Sequence, residues 1–98
     1  MKSYDLLIKE EARNEILDAY YWYEAKLNGL GKRFVDSLDF CFDRITLSPL
    51  SFPRKYKEMR QAVVVQFPFV VIFEIEEDQI IVYAVFNTRR NPKQWKNR

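Results

Sequence analysis

The sequence predicts an α+β fold, in which a helical hairpin packs on one face of a mainly antiparallel sheet. Three observations carry that prediction. Apolar residues recur at helical spacing between residues 10 and 47, the spacing drops to two from about residue 59, and the connections between like elements are short. The 98 residues suit a single domain, 1–98, and an apolar content of 48% with only two glycines favours a packed core over disorder.

In chain order, "SYDLLIK" at 3–9 reads as an N-terminal strand. Ala12, Ile16, Ala19, Tyr20, Tyr23 and Leu27 then lie on one apolar stripe of a helix running from Glu10 to Leu27. Glu10 and Glu11 suit the positive end of its dipole, and "NGLG" at 28–31 supplies the stop. A second helix from Lys32 to Leu47 carries Phe34, Leu38, Cys41 and Ile45 at the same spacing, and Pro49 and Pro53 bracket its exit. So short a turn makes the two helices an antiparallel hairpin. The segments "MRQAVVVQ" (59–66), "FVVIFEIE" (69–76) and "IIVYAVF" (80–86) are rich in β-branched and aromatic residues. Short links at Phe67-Pro68 and Glu77-Asp78-Gln79 join them as an antiparallel meander.

The sheet raises a question about its second face. Phe69, Val71, Phe73 and Ile75 form the face that the helices should cover, while Val70 and Ile72 begin the other face before it turns acidic at Glu74 and Glu76. The last strand is apolar on both sides, Ile80, Val82, Ala84 and Phe86 alternating with Ile81, Tyr83 and Val85. One helical layer covers one face only. The chain's own tail, a second copy or a partner segment is therefore expected on the other.

Composition narrows the chemistry. Cys41 is the only cysteine and lies on the apolar stripe, so it reads as a packing residue, and an internal disulfide is excluded. Histidine is absent, which removes an imidazole base, histidine-activated nucleophiles and the usual zinc sites. Neither a metal nor a cofactor is expected. No apolar stretch approaches the ~20 residues of a membrane span. The start, "MKSYDLLIKEEAR", turns charged too soon for a signal peptide, so a cytoplasmic location is expected.

Charge is unevenly distributed. The last ten residues, 89–98, hold five Lys or Arg and no acid, while the rest of the chain holds eleven basic and fourteen acidic residues. Pro92 and Trp95 mark an end that packs back on the body, leaving Arg89, Arg90 and Lys93 as a positive rim. Such a rim suits an acidic, amphipathic partner segment. Tyr21 and Trp22 point away from the core stripe and suggest an interface. Plainer readings stand beside these: Trp95 as a cover for the sheet, Lys55 and Lys57 as solvated loop charges, Arg60 as a partner for Glu58 or an acidic helix residue. A free-standing nucleic-acid module should be more basic than a pI of about 8.7.

With that order of elements, three pieces together resemble a known family. They are "MRQ" at 59–61, "FPFVVIFEI" at 67–75 and the closing "VFNTRRNPKQW" at 85–95, preceded by "YYWYEAKLNGLGKRFVDSL" at 20–38. The chain resembles the RelE/ParE superfamily of bacterial toxins, specifically its ParE-like, plasmid stabilization members. The resemblance implies the toxin of a type II toxin–antitoxin system, neutralised by a cognate antitoxin, and is compatible with a hetero-oligomer of the two.

Two activities occur in that superfamily. RelE-like members are ribosome-dependent mRNA endoribonucleases, and ParE-like members inhibit DNA gyrase without catalysis of their own. For a ribonuclease, the resemblance would assign Lys55, Lys57, Arg60 and Arg89 to the catalytic cluster, with Tyr56 or Tyr83 as a phenol. The chain departs from that pattern. Val70 and Val71 stand where RelE-like enzymes tend to place an arginine, and Asn87 stands where the closing motif often has a histidine. No residue is an evident general base. Gyrase inhibition is therefore expected, with Arg60, Arg89, Arg90, Lys93, Trp95, Tyr21 and Trp22 as partner contacts. Ribosome-dependent mRNA cleavage is the alternative.

Overall fold

The switch from helical to alternating periodicity is reproduced in the computed structural model, which describes residues 3–90. The elements are β1 (Asp5–Ile8), α1 (Glu10–Lys26), α2 (Leu30–Leu47), a 3-10 turn at Pro49–Ser51, β2 (Arg54–Tyr56), β3 (Met59–Val63), β4 (Phe69–Glu76) and β5 (Gln79–Asn87). They build an α+β fold with one five-stranded sheet in the order β1-β5-β4-β3-β2. Strands β2 to β5 pair antiparallel in sequence order, whereas β1 lies parallel to β5, with Ile8 opposite Val82.

The connection after α2 holds more structure than its two prolines announce. Pro49 opens the 3-10 turn at its first position, as its fixed φ allows. Residues 54–56 then form a short edge strand against β3. The expected strand at 59–66 ends at Val63, and Gln66 takes a left-handed φ of 71° in the tight return to β4.

The helix pair meets closely, for a reason readable at one glycine. Gly31 does not stop α1; it lies inside α2, which begins at Leu30 rather than Lys32. A β-carbon there would stand 2.7 Å from the Tyr20 carbonyl oxygen, so only glycine lets the backbones approach this far. Gly29, with φ of 91°, makes the turn itself. The first turn of α2 holds no acidic residue of its own. Instead, the Glu24 carboxylate of α1 accepts hydrogen bonds from the N–H groups of Gly29 at 2.9 Å and Gly31 at 3.0 Å. One side chain thus caps α2 and ties it to α1.

The core lies between the hairpin and the sheet. Ala12 and Ala19 of α1 and Phe34, Leu38, Cys41, Phe42 and Ile45 of α2 are buried against Phe69, Val71 and Phe73 of β4. Each large side chain removed from water contributes about 1.5–3 kcal/mol. Leu27, placed on the α1 stripe by spacing, is exposed just past the helix end.

Strand β5 corrects the alternation expected of it. Ile72 pairs with Ala84 but Phe73 pairs with Val82, so Tyr83 is an extra residue, a β-bulge. The bulge reverses the phase beyond it. Ile80, Val82 and Val85 join the core under the helices, while Ala84 and Phe86 turn to the opposite face with Val70 and Ile72. That second face does not stand open at these four residues. All are buried, and Tyr56 and Met59 from the β2–β3 hairpin pack against them.

Candidate functional site

A cleft opens where β1 stops short. β1 pairs with β5 only as far as Val82, after which the chain enters α1 and runs on beside the same edge. The space between α1 and the far half of β5 is a cleft of about 570 Å³. Glu15, Asp18, Ala19 and Trp22 form the helical wall, and Val85, Phe86 and Asn87 form the strand wall. Beyond the reach of β1, the backbone N–H of Val85 donates to the Glu15 carboxylate at 3.0 Å. A helix side chain therefore takes the place that a strand neighbour would hold.

The floor is aromatic. Tyr23 packs on Phe67 at 5.0 Å between ring centroids and on Phe34 at 5.4 Å, and Phe34 packs on Phe69 at 5.1 Å. Because these rings come from α1, α2, the β3–β4 turn and β4, their tilted and edge contacts lock four parts of the fold together. Burial pushes the Tyr23 phenol up from its ordinary value, and the nearby Arg89 guanidinium opposes that shift.

The rim is basic, and one asparagine shapes it. The Asn87 side-chain oxygen accepts from the Arg89 N–H at 2.9 Å, and the Asn87 carbonyl accepts from the Arg90 N–H at 3.0 Å. Thr88 N–H donates to the Pro68 carbonyl at 2.8 Å, which pins this turn to the β3–β4 connection. Local turn closure by asparagine is a property histidine would not share as readily. Arg89 and Arg90 both line the cleft, and neither guanidinium pairs with a carboxylate among the described residues. Trp22 stands exposed at the same rim, with the Lys26 ammonium 4.9 Å from its ring centroid.

The residues singled out in the sequence separate into different places. Trp22, Arg89 and Arg90 converge on the cleft. Tyr21 is exposed on α1, packed edge-on to Tyr20 at 5.1 Å, and does not line the cleft. Lys93 and Trp95 lie outside the described residues. Lys55, Lys57 and Arg60 belong to the β2–β3 hairpin, and none of them lines the cleft.

Arg60 does not pair with Glu58. Its guanidinium donates to the carbonyl of Phe52 at 2.6 Å and to that of Leu50 at 3.4 Å, clamping the 3-10 turn to the sheet. Glu58 instead meets Arg54 at 3.4 Å, and both are exposed. The Lys57 ammonium lies 5.2 Å from the Tyr56 ring.

The remaining reactive groups are engaged. The Tyr83 phenol donates to the Glu74 carboxylate at 3.0 Å. Burial first, then that hydrogen bond and the charges of Glu74 and Glu76, raise its pKa. The Cys41 thiol is buried and pushed up to about 11, far from a thiolate nucleophile at neutral pH. Among the described residues, no group of three or more His, Cys, Asp or Glu side chains is arranged to hold a metal ion. No described helix is long and apolar enough to cross a membrane.

Glu15 and Asp18 are site residues that sequence reasoning passed over, and Asn87 enters it only as a departure from the closing motif. Glu15 carries no local signal, because the N–H it serves lies 70 residues away. Asn87 does carry one, since an asparagine ending a strand is a common turn former.

Comparison with known proteins agrees with this architecture. The family described as the ParE toxin of type II toxin–antitoxin systems, parDE, matches residues 6–92. Nine chains of solved structures match. One of them, from the chromosomal ParDE TA system from P. aeruginosa, superposes with a TM-score of 0.74 at 14% identity, covering 87% of this chain and 96% of that one. No curated protein sequence matches.

Proposed function

The chain belongs to the ParE toxin family of type II toxin–antitoxin systems, and from that premise we propose that it is neutralised by a cognate antitoxin and acts in the cytoplasm by inhibiting DNA gyrase. The observation that carries the non-catalytic reading is the dispersal of its cations. RNA cleavage by 2′-hydroxyl attack needs a base, a leaving-group acid and cations gathered around one phosphate. Here Lys55 and Lys57 sit on the β2–β3 hairpin, while Arg89 sits on the cleft. The Arg60 guanidinium is engaged by two backbone carbonyls. Of the phenols considered for acid–base work, Tyr83 is bonded to Glu74, and the Lys57 ammonium lies 5.2 Å from the Tyr56 ring.

Binding asks for less. A cleft with an aromatic floor and a rim of Trp22, Arg89 and Arg90 suits an amphipathic, acidic segment. Such a segment is the antitoxin's contribution in this reading, the two chains forming a hetero-oligomer.

The test runs two assays on one preparation. The purified toxin should block supercoiling of relaxed plasmid by gyrase, and transcripts on translating ribosomes should stay intact. Cleavage inside ribosomal A-site codons that is lost in Arg60→Ala, with supercoiling untouched, would place the chain on the ribonuclease branch instead.

A further inference from the structure

The cleft between α1 and β5 is lined by charges of both signs, and they do not satisfy one another. Its charged side chains are Glu15 and Asp18 on the helical wall and Arg89 and Arg90 on the rim. Glu15 is engaged, since its carboxylate accepts the Val85 N–H at 3.0 Å. The Asp18 carboxylate makes no hydrogen bond or ion pair among the described residues. The two guanidinium groups make none either. One anion and two cations thus face the same space without closing on each other.

Their order along the cleft follows from two contacts. Val85 meets Glu15, and four residues further along the chain Arg89 stands beside Tyr23, where its charge opposes the rise that burial gives the phenol pKa. The helix and the strand therefore run the same way. Glu15, Asp18 and Trp22, spaced by three and four, share the face of α1 that lines the cleft. At 1.5 Å of rise per residue, Asp18 lies about 4.5 Å beyond Glu15 and about 7 Å short of Tyr23. A segment lying in the cleft passes the free carboxylate first and the arginines roughly one helical turn later.

A purely acidic occupant would be held at the rim and repelled at the wall. It would also cover Asp18 without giving it a partner, and a desolvated, unpaired carboxylate is costly. An occupant with a cation opposite Asp18 leaves neither sign unpaired.

We propose that Asp18 is a specificity-determining residue of the cleft, selecting an antitoxin segment that places a Lys or Arg against α1 and a carboxylate against Arg89 and Arg90. The two charges of that segment stand about 7 Å apart, a spacing that two residues of extended chain or one turn of helix provides. The proposal rests on the reading of the cleft as the antitoxin's seat, and it refines the partner from acidic to mixed in charge. Asp18 then also rejects antitoxins that carry an acid at the facing position, because like charges meet there.

The experiment titrates the purified cognate antitoxin against wild-type toxin, Asp18→Asn, Asp18→Glu, and Arg89→Ala combined with Arg90→Ala, at low and high salt. The sign of the Asp18→Asn effect decides. With a cation opposite, the affinity should fall about tenfold or more and lose part of its salt dependence, and Asp18→Glu should recover most of it. With a purely acidic segment, removing the carboxylate would relieve repulsion and tighten binding, which overturns the proposal. An unchanged affinity overturns it equally. Thermal melts of both Asp18 variants should match wild type, as expected of an exposed side chain without a partner. A melting temperature that drops with the affinity would make Asp18 a structural residue instead. If the double arginine variant binds as tightly as wild type, the cleft is not the antitoxin's seat, and the underlying reading falls with the proposal. A charge reversal completes the test. Asp18→Lys should weaken binding about a hundredfold. Antitoxin variants selected in cells to neutralise it should exchange one Lys or Arg for Asp or Glu. Rescue that never involves such an exchange would count against a facing cation and overturn the proposal.

Discussion

The cleft and the β2–β3 hairpin both carry cations, yet they are built on opposite principles. The cleft end stands on packing. Tyr23, Phe34, Phe67 and Phe69 interlock beneath it, and its two arginines reach outward with no carboxylate partner among the described residues. The hairpin end stands on hydrogen bonds. Its arginine turns inward to hold the carbonyls of Leu50 and Phe52. Two guanidinium groups with equal charge therefore do different jobs, and the difference lies in which atoms they face. Counting basic residues cannot separate a contact from a clamp.

That contrast can be broken from either side, and the largest effect is expected from the packing side. Phe34→Ala removes a fully buried ring that touches three other aromatics. It should cost about 3–5 kcal/mol by urea denaturation. The floor should loosen with it, so antitoxin affinity should fall together with stability. A loss below about 1 kcal/mol would show that the cleft does not stand on this cluster.

Next comes the clamp. Arg60→Ala leaves the Phe52 carbonyl without its charged donor and should cost about 1.5–3 kcal/mol in the same measurement. Arg60→Lys should recover only part of that, because an ammonium replaces a guanidinium fork. If Arg60→Ala is as stable as wild type but inactive, Arg60 is a contact rather than a clamp.

Cys41 tests the core between the two ends through pH. Its folded pKa, about 11, lies above the reference value of 9.0. The folded state thus favours the thiol, so its stabilising contribution is complete below pH 9 and declines as pH rises from 9 toward 11. The raised values of Tyr23 and Tyr83 act in the same direction at still higher pH. Denaturation midpoints should fall as pH rises from about 9 toward 11, and Cys41→Ala should flatten that decline. An equal decline in the variant would assign it to the tyrosines.

The smallest effect on stability should come from the arginines that look most prominent in the sequence. Arg89→Ala with Arg90→Ala should change unfolding free energy by no more than about 0.5 kcal/mol, as exposed side chains do. Association with the antitoxin should instead slow and lose much of its salt dependence. Stopped-flow binding at two ionic strengths reads this directly. A large stability loss with unchanged association would reverse the assignments of the two ends.

Much of the fold was determined by local pattern. Helical spacing from Ala12 to Ile45 and alternation from Met59 onward each depend on residues near one another in the chain, so both elements and their antiparallel connections were legible. The family resemblance rested on the same local pieces, and the match over residues 6–92 agrees with it. Alternation failed where pairing intervened. The bulge at Tyr83 arises from register between β4 and β5, and it sent Ala84 and Phe86 to the face opposite the helices. The three-residue strand β2 exists only because β3 offers an edge. The candidate sites were legible in part. Trp22, Arg89 and Arg90 were named from sequence, but their meeting with Glu15 and Asp18 in one cleft depends on α1 continuing along the edge that β1 leaves. Sequence determines which side chains are charged or apolar, because that is covalent chemistry. Whether Arg60 clamps a carbonyl while Arg89 faces solvent depends on atoms far away in the chain, and only tertiary packing brings those atoms within hydrogen-bond range.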